Sequence, residues 1–419
     1  MSYSQKALDL LEAGKLNEFN DKYELALKND SDDLLYSLAE ELYSLGFSDK
    51  AKEIYIKMLS KYPDEDELRT NLADILIGEG HVDTALNYLS EIKPSSDAYV
   101  QSLMVQADLY QTQGMFEVST EKLLEAKKID PDESVITFAL AELYFVMRNF
   151  NKSIPLYLHL IKQGITNISA VNIVERIGIA YANDGKFDHA IGYLKQIKTI
   201  NMTPDVKFET AFTYLQLKDY ANAIEIFKDL RDTDSQYATL YPYLADALSA
   251  EHKDEEALKV AQEGLSVDEY NEKLYVIAAK LSLKLFDEKQ AEKYLRKGIS
   301  IDPDDISIAL ELSNLLVKQE RYDENIDLIN SYMKDDQIDP QFYWNLAVSY
   351  DKQDALKDAN KYYLAAIPYF KDMPSFLKMA ALFFREYGDL QQSIALMKNY
   401  MELVPSDDEM AMLLEEYRQ

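Results

Sequence analysis

Small residues recur about every 34 positions along this chain, and this spacing constrains its fold more than any other feature. In the stretch 100–131, small and large residues alternate at steps of three to five, which is the spacing of residues on packed helix faces. Eight of the eleven gaps between successive small residues are 34 residues long. The twelve positions are Ala7, Ala39, Ala73, Ala107, Ala141, Gly178, Ala211, Ala245, Ala279, Ser313, Ala347 and Ala381.

A second small residue follows most of these positions after twelve residues. Ten of the twelve second positions are Ala or Ser, and the exceptions are Phe19 and Asn325. Two small residues that face each other let two helix axes approach closely, so the pattern predicts packed helical hairpins. Six glycines lie between the two predicted helices of a unit, where a left-handed residue commonly ends a helix. They are Gly14, Gly46, Gly80, Gly114, Gly185 and Gly388.

This unit of two helices, with small residues at places eight and twenty, a turn glycine and a closing proline such as Pro131, resembles the tetratricopeptide repeat (TPR). The resemblance covers about residues 1–406 and implies an all-α TPR solenoid, a right-handed superhelix of about twelve helix-turn-helix repeats. A longer junction is expected near 163–170, where one gap widens to 37 residues. Residues 407–419 are predicted to form a C-terminal capping helix. The whole chain is also similar to the YpiA-like proteins, repeat-only TPR proteins of Gram-positive bacteria.

The composition restricts the compartment and the partners. With 74 acidic and 44 basic residues, the formal charge of -30 argues against direct nucleic-acid binding, because phosphates would be repelled. The lack of cysteine excludes disulfides and thiolate sites and suits a reducing compartment. No apolar run approaches the roughly 18 residues of a membrane span, and the N-terminus does not resemble a signal peptide. We therefore expect a cytoplasmic protein without membrane insertion, and its oligomeric state stays open.

The residue patterns of common enzyme and metal sites are missing. The four histidines, His81, His159, His189 and His252, fall in different repeats without metal-ligand spacing. The chain contains no phosphate-binding loop, dinucleotide fingerprint, nucleophile elbow or zinc-protease motif. We therefore expect no catalytic residues, cofactor or metal, and we predict that the chain is not an enzyme.

The resemblance implies a concave wall formed by places two, five, nine, twelve and thirteen of the first helices. One acidic column (Glu40, Asp74, Asp108 and Glu142) repeats every 34 residues and is followed later by Asp246. A basic column (Lys284, Lys318 and Lys352) has the same spacing, with Lys280, Lys378 and Arg385 at neighbouring places. Apolar and aromatic groups lie between: Tyr36, Tyr43, Phe138, Phe145, Phe208, Phe212, Tyr243 and Trp344. Together these residues form the predicted partner-binding groove. Alternatively, the charges solvate the helix faces and the aromatic side chains pack against the next repeat.

Three functions fit this pattern. The first is a non-enzymatic scaffold or adaptor that binds an extended peptide or partner-protein segment in the groove, using shape and charge. The second is a peptide-responsive TPR regulator. Such regulators usually carry a further N-terminal domain, and the start of the repeats near residue one counts against this function. The third is a non-catalytic subunit of an enzyme complex.

Overall fold

The computed structural model describes residues 2–333 and 339–417, and nearly all of these residues lie in α-helices or the short turns between them. The chain divides into two compact units, Met1–Lys198 (unit 1) and Thr199–Gln419 (unit 2). The helices of unit 1 are α1 (Tyr3–Glu12), α2 (Leu16–Asn29), α3 (Asp32–Ser44), α4 (Ser48–Lys61), α5 (Asp66–Gly78), α6 (Val82–Ser90), α7 (Tyr99–Thr112), α8 (Phe116–Ile129), α9 (Ser134–Val146), α10 (Phe150–Lys162), α11 (Ile173–Asn183) and α12 (Phe187–Leu194).

Unit 2 begins with a short 3-10 helix (Thr199–Asn201) and continues in the same helical pattern. Its helices are α13 (Pro204–Gln216), α14 (Tyr220–Thr233), α15 (Leu240–Ala250), α16 (Asp254–Val267), α17 (Glu272–Lys284), α18 (Glu288–Ile301), α19 (Ile306–Lys318), α20 (Tyr322–Tyr332), α21 (Pro340–Lys352), α22 (Leu356–Ala366), α23 (Pro374–Tyr387), α24 (Leu390–Leu403) and α25 (Asp408–Glu416). Within the described residues the first 24 helices pair as twelve hairpins. The all-α repeat fold expected from the spacing is confirmed.

The small residues lie where the two helices of each hairpin meet. All twelve first positions and all twelve second positions are buried. The two helices approach closely at Gly178, where an added Cβ would lie 2.6 Å from Leu194 Cδ2. A larger residue at this position would therefore force the Leu194 side chain to move. The predicted reason for the repeat, close approach of paired helices, therefore agrees with the packing.

One hairpin of unit 2 has a polar group at both small positions. Ser313 Oγ donates to Asn325 Oδ1 at 2.6 Å, and Asn325 Nδ2 donates to Ser349 Oγ at 2.8 Å. Asn345 Nδ2 in turn donates to Ser313 Oγ at 2.7 Å, which links this hairpin to the next one. Because all four side chains are buried, each hydrogen bond replaces one that water would otherwise provide.

Every hairpin turn places one residue in the left-handed region, seven positions after the first small residue. In α3 the turn is closed by two backbone bonds, Gly46 N–H to Tyr43 O at 3.0 Å and Phe47 N–H to Leu42 O at 2.8 Å. This pattern satisfies the last carbonyl groups of the helix. The six predicted glycines all adopt positive φ. The other six turns adopt it without glycine, at Arg148, Lys218, His252, Phe286, Glu320 and Asp354.

The extra residues of the longer junction form a small β-hairpin. Strands β1 (Asn167–Ile168) and β2 (Val171–Asn172) pair antiparallel, and Ser169 and Ala170 between them have φ values of 48° and 65°. Asn172 then caps α11, because its Oδ1 accepts from Val174 N–H at 2.9 Å. The sequence located the junction but did not predict its strands.

Helix α25 follows the last hairpin, and residues 418–419 of the predicted capping helix lie outside the described residues. Asp407 begins the helix by accepting from Met410 N–H at 3.2 Å. Met410 and Leu414 are buried in the same core as the helices of the last hairpin. The division into one continuous array over 1–406 and a cap over 407–419 stays a prediction.

Candidate functional site

All nineteen predicted groove residues lie on the first helices of their hairpins, and none is buried. We call the surface formed by the exposed sides of these helices the first-helix face, and we describe it separately for each unit. They comprise acidic and aromatic side chains of unit 1, aromatic side chains and Asp246 of unit 2, and lysines and an arginine of unit 2.

The acidic side chains of unit 1 approach one another on neighbouring helices. Tyr43 Oη donates to Asp74 Oδ2 at 2.9 Å, from α3 to α5. The pKa of Asp108 on α7 is raised by partial burial and further by the negative charge of Asp74. Glu40 lies on the same face and is exposed. Neither Asp108 nor Glu40 forms an ion pair within residues 2–333 and 339–417. The face therefore holds carboxylates without a local counter-charge.

Tyr36 is held on this face by residues of the next hairpin. Its hydroxyl donates to Glu67 Oε1 at 2.7 Å and accepts from Asn71 Nδ2 at 3.1 Å. The pKa of Tyr36 is raised by burial and by the bond to Glu67. Gln101 Nε2 continues the chain of contacts to Asn71 Oδ1 at 3.3 Å. Sequence reasoning missed Glu67, Asn71 and Gln101, although Glu67 and Asp74 both follow their tyrosine partners by 31 positions, an offset that could have identified them.

Glu142 differs from the other members of the acidic column. It accepts hydrogen bonds from Tyr157 Oη and from Arg176 Nε, the latter at 3.1 Å. The Arg176 guanidinium also lies 4.9 Å from the ring centroid of Phe145. Glu142 is thus neutralised where α9 meets α10 and α11, and Phe145 is covered by a cation. Sequence reasoning missed Arg176 because its position, two residues before Gly178, was not one of the wall places.

Helix α11 contributes one further carboxyl group that the sequence did not single out. Glu175 occupies the same repeat place as Tyr36 and Phe138, three residues before the first small residue. Partial burial raises its pKa, and the neighbouring Arg176 opposes this shift. Phe138 itself packs against the hydrophobic core formed by α9, α10 and α11.

Unit 2 begins with an aromatic cluster on α13 and α15. Phe208 and Phe212 stack with ring centroids 6.1 Å apart, and Tyr243 packs edge-on against both, at 5.6 and 5.2 Å. Lys273 Nζ lies 4.3 Å from the Tyr243 ring centroid, on the outer side of the cluster. Burial raises the pKa of the nearby Asp246, and Lys273 and Lys280 oppose the shift. These rings are half-buried against each other, so they contribute to packing as well as to the exposed face.

Most cationic side chains predicted to form the basic column are paired with carboxylates of adjacent helices. Lys284 Nζ lies 3.2 Å from Asp254 Oδ1, and Lys318 Nζ lies 2.7 Å from Glu288 Oε1. Both pairs link the end of a first helix to the start of the preceding second helix. The other paired cations are Lys280 with Glu311 at 2.9 Å, Lys378 with Asp407 at 2.8 Å and Arg385 with Glu416 at 3.9 Å.

Lys352 is the one cation of the predicted column that makes no ion pair within the described residues. At this hairpin Gln353 makes the equivalent link, donating to Asp323 Oδ1 at 2.6 Å. Trp344, on the same helix α21, packs edge-on against Phe370 and Phe376 at 5.2 and 5.3 Å. The basic column therefore serves largely as a set of links between hairpins, and only Lys352 offers an uncommitted positive charge.

The described residues contain neither a metal centre nor a membrane span. No three or more His, Asp or Glu side chains in residues 2–333 and 339–417 are arranged to hold a metal ion. Across the same residues, no helix combines the length and the apolarity needed to cross a bilayer. One of the four histidines, His189, stacks on Tyr181 at 5.2 Å. The chemistry available on the first-helix faces is thus charge, hydrogen bonding and aromatic contact.

Known protein families match several parts of the chain. The family described as "YpiA-like, tetratricopeptide repeats" matches residues 111–165, and its C-terminal counterpart matches residues 340–407. A general tetratricopeptide repeat matches residues 272–305. The ARM repeat of tetratricopeptide repeat protein 21 matches residues 2–114.

Individual proteins are also similar to the chain. The TPR repeat-containing protein YpiA of Bacillus subtilis is 33% identical, over 97% of this chain and 96% of the relative. The BBSome complex member BBS4 of Bos taurus is 22% identical over 72% of this chain and 54% of its own length. Among solved structures, a tetratricopeptide repeat protein from Parabacteroides merdae is 17% identical, with a TM-score of 0.41, 62% of this chain covered and 98% of that chain.

Proposed function

Because the chain belongs to the YpiA-like family of tetratricopeptide repeat proteins, we propose that it is a non-enzymatic scaffold whose first-helix faces bind an extended segment of a partner protein. The observation that carries the proposal is the group of Tyr43, Asp74 and Asp108 in unit 1. Two carboxylates lie close enough for one to raise the pKa of the other, and Asp108 has no cationic partner within the described residues. A cationic side chain of a partner would remove this repulsion.

The partner segment that fits unit 1 is basic with intervening apolar side chains. Lysine or arginine side chains would meet Glu40, Asp74 and Asp108, while apolar side chains would meet the exposed ring surface of Tyr36 and Tyr43. Charge complementarity of this kind raises the association rate and selects among partners. The formal charge of -30 adds a long-range attraction for the same class of segment.

The first-helix face of unit 2 would bind an extended segment of a partner protein through other side chains. The Phe208, Phe212 and Tyr243 cluster supplies aromatic contact area, and Lys352 supplies the uncommitted positive charge for an acidic residue. The proposed setting is the cytoplasm, which the absence of cysteine supports.

A labelled synthetic peptide of alternating lysine and leucine tests the proposal by fluorescence anisotropy with the full chain. The double substitution Asp74→Asn with Asp108→Asn should weaken binding by at least about tenfold, which corresponds to about 1.4 kcal/mol. Its matched control is Glu117→Gln with Glu121→Gln on α8, which removes the same two charges from exposed sites of the second helix in the same hairpin. Equal weakening by both pairs would mean that the peptide senses only net charge, and the proposal would fail.

A further inference from the structure

Phe286 combines two features that disfavour a phenylalanine on structural grounds. It occupies the left-handed turn position between α17 and α18, with φ 61°, where six other turns of the chain have glycine. Its side chain is also 94% exposed, the largest exposed fraction among the described large apolar residues. A bulky residue at positive φ is strained, and an exposed phenyl ring gains nothing from burial. Folding alone therefore does not explain this residue.

The turn residues on the two sides of Phe286 differ in charge: Lys218 is a cation, His252 is formally neutral at pH 7, and Glu320 and Asp354 are anions. On the N-terminal side the left-handed positions are Lys218 and His252, and on the C-terminal side they are Glu320 and Asp354. All four are exposed. Within residues 2–333 and 339–417, none of their side chains makes an ion pair or a hydrogen bond. We call these four residues and Phe286 the turn edge of unit 2.

The turn edge has opposite charges at its two ends and Phe286 at its centre. Neighbouring first helices of unit 2 contact each other, α13 with α15, α15 with α17 and α19 with α21, so equivalent turns follow one another in chain order. The edge therefore has the cation Lys218 at one end, apolar Phe286 at its centre and the anions Glu320 and Asp354 at the other end. A two-fold axis through Phe286 would bring Lys218 opposite Asp354 of another copy and His252 opposite Glu320. Self-complementarity about such an axis is the requirement for a closed homodimer.

We propose that the turn edge of unit 2 is a homodimer interface, in which Phe286 packs against its own copy and the flanking turn charges pair across the two-fold axis. The partner is a second copy of this chain. When two copies of the edge run antiparallel, Lys218 of each copy lies opposite Asp354 of the other. This interface is separate from the first-helix faces, so it does not depend on the proposed scaffold function.

The net charge opposes this association and makes its salt dependence informative. Two chains of formal charge -30 repel each other at long range. At physiological ionic strength the Debye length is about 8 Å, so distant charges are screened while pairs in contact still interact. Dimerisation should therefore be stronger at moderate salt than at very low salt, and it should weaken again when high salt screens the contact pairs.

Sedimentation equilibrium of the full chain tests the interface. The apparent mass of the natural sequence should rise from one chain toward two with concentration, and Phe286→Gly should remain monomeric. Glycine occupies six of the eleven other turns and adopts positive φ without strain, so this variant is expected to unfold at the same temperature as the natural chain or a higher one. Tyr270→Ser is the matched control, since Tyr270 is an aromatic residue of the same unit that is 70% exposed in an inter-hairpin loop. It should leave the dimer unchanged.

A charge exchange tests the antiparallel order. Lys218→Glu should weaken the dimer at least about tenfold, and adding Asp354→Lys should restore it, because the exchanged pair is again complementary. The proposal is overturned by a natural sequence that stays monomeric at every soluble concentration, by a dimer that survives Phe286→Gly, or by a double variant that stays as weak as Lys218→Glu.

Discussion

The two units use different residues at the left-handed position of the hairpin turn. Five of the six hairpin turns in unit 1 have glycine at the left-handed position, with Arg148 as the exception. In unit 2 only Gly388 is a glycine, and the other five turns hold a residue with a side chain in that conformation. The repeat therefore requires a backbone conformation at this place and does not require one particular residue. Glycine is the least strained solution, and unit 2 has largely departed from it.

The two units also differ in how the charged side chains of their first-helix faces are paired. In unit 1 desolvation and the negative charge of Asp74 raise the pKa of Asp108, and Asp108 makes no ion pair within the described residues. In unit 2 Lys284 and Lys318 contact carboxylates of the preceding hairpin. Exposed pairs of this kind contribute at most about 1 kcal/mol each. Lys284 and Lys318 thus link hairpins in unit 2, whereas in unit 1 Glu142 is paired with Arg176 and Asp108 makes no ion pair within the described residues.

The largest expected effect tests the close contact between the two helices of one hairpin in unit 1. Ala107→Leu places a larger side chain between α7 and α8, where Ala107 is buried, so packing must shift. We expect a loss of about 1–3 kcal/mol in the free energy of unfolding, measured by urea denaturation. An unchanged urea midpoint would show that the close helix contact is not at this position.

A somewhat smaller loss is expected at the polar hairpin of unit 2. Asn325→Ala removes the acceptor of Ser313 and the donor to Ser349, and it leaves a small cavity in the core. Because a buried polar group without a partner costs about 1–3 kcal/mol, we expect destabilisation near the lower end of that range. Both serines retain a bond to Asn345, which limits the loss. An unchanged free energy of unfolding would mean that the hydrogen bonds of Asn325 add no net stability.

Exchanging the turn residues of the two units sharpens the comparison most directly. Gly114→Phe puts a bulky residue at φ 70° in unit 1, and Phe286→Gly removes one at φ 61° from unit 2. We expect the first to destabilise and the second to stabilise, each by about 1 kcal/mol, measured as shifts in thermal unfolding. Changes of the same sign would contradict the view that both turns impose one conformation.

The smallest effects concern pH and have opposite signs in the two units. Lys378 and Tyr400 lower the pKa of Asp407 to about 2 from its ordinary 3.8, so its stabilising contribution is complete above 3.8 and is lost as the pH falls toward 2. The raised pKa of Asp108 disfavours its charged form, so its cost is present at neutral pH and disappears as the pH falls through that pKa.

Two amide variants separate these effects. At neutral pH Asp407→Asn should lower stability, whereas Asp108→Asn should raise it by a few tenths of a kcal/mol. Urea midpoints measured at neutral pH and in acid check both signs. The Asp407→Asn deficit should shrink in acid, and the Asp108→Asn gain should also vanish there. A gain from Asp108→Asn that persists in strong acid would exclude charge as its cause.

The sequence predicted the parts of the structure that follow from one repeat alone. Ala107 and Ser119 face each other because helix spacing fixes their faces, and Gly114 ends α7 because a turn is needed between the two helices. Contacts between hairpins were harder to foresee. Lys284 contacts Asp254, 30 positions earlier, and Glu142 contacts Arg176, 34 positions later. Whether a charged side chain on a face is free or paired depends on its rotamer and on the neighbouring hairpin, and neither follows from the spacing.

The backbone conformations of two segments, the turn at Phe286 and the junction at 167–172, could not be predicted from the sequence either. Phe286 at positive φ contradicts its own intrinsic preference, so tertiary packing of α17 and α18 must impose the turn. Similarly, the three extra residues before Gly178 gave no strand signal, yet residues 167–172 form a β-hairpin. The pairing of such short strands depends on how closely α10 and α11 hold the two ends of the loop between them.

Site-specific photo-crosslinking in the native host tests the central claim, binding on the first-helix face of unit 1, most directly. A photoreactive residue at Gln111 on α7 should give a discrete partner adduct, identified by mass spectrometry, that Asp74→Asn with Asp108→Asn removes. The same residue at Glu121 on α8 should give none of that adduct. Equal adducts from both helices, or an adduct from Gln111 that survives loss of the two carboxylates, would contradict the account.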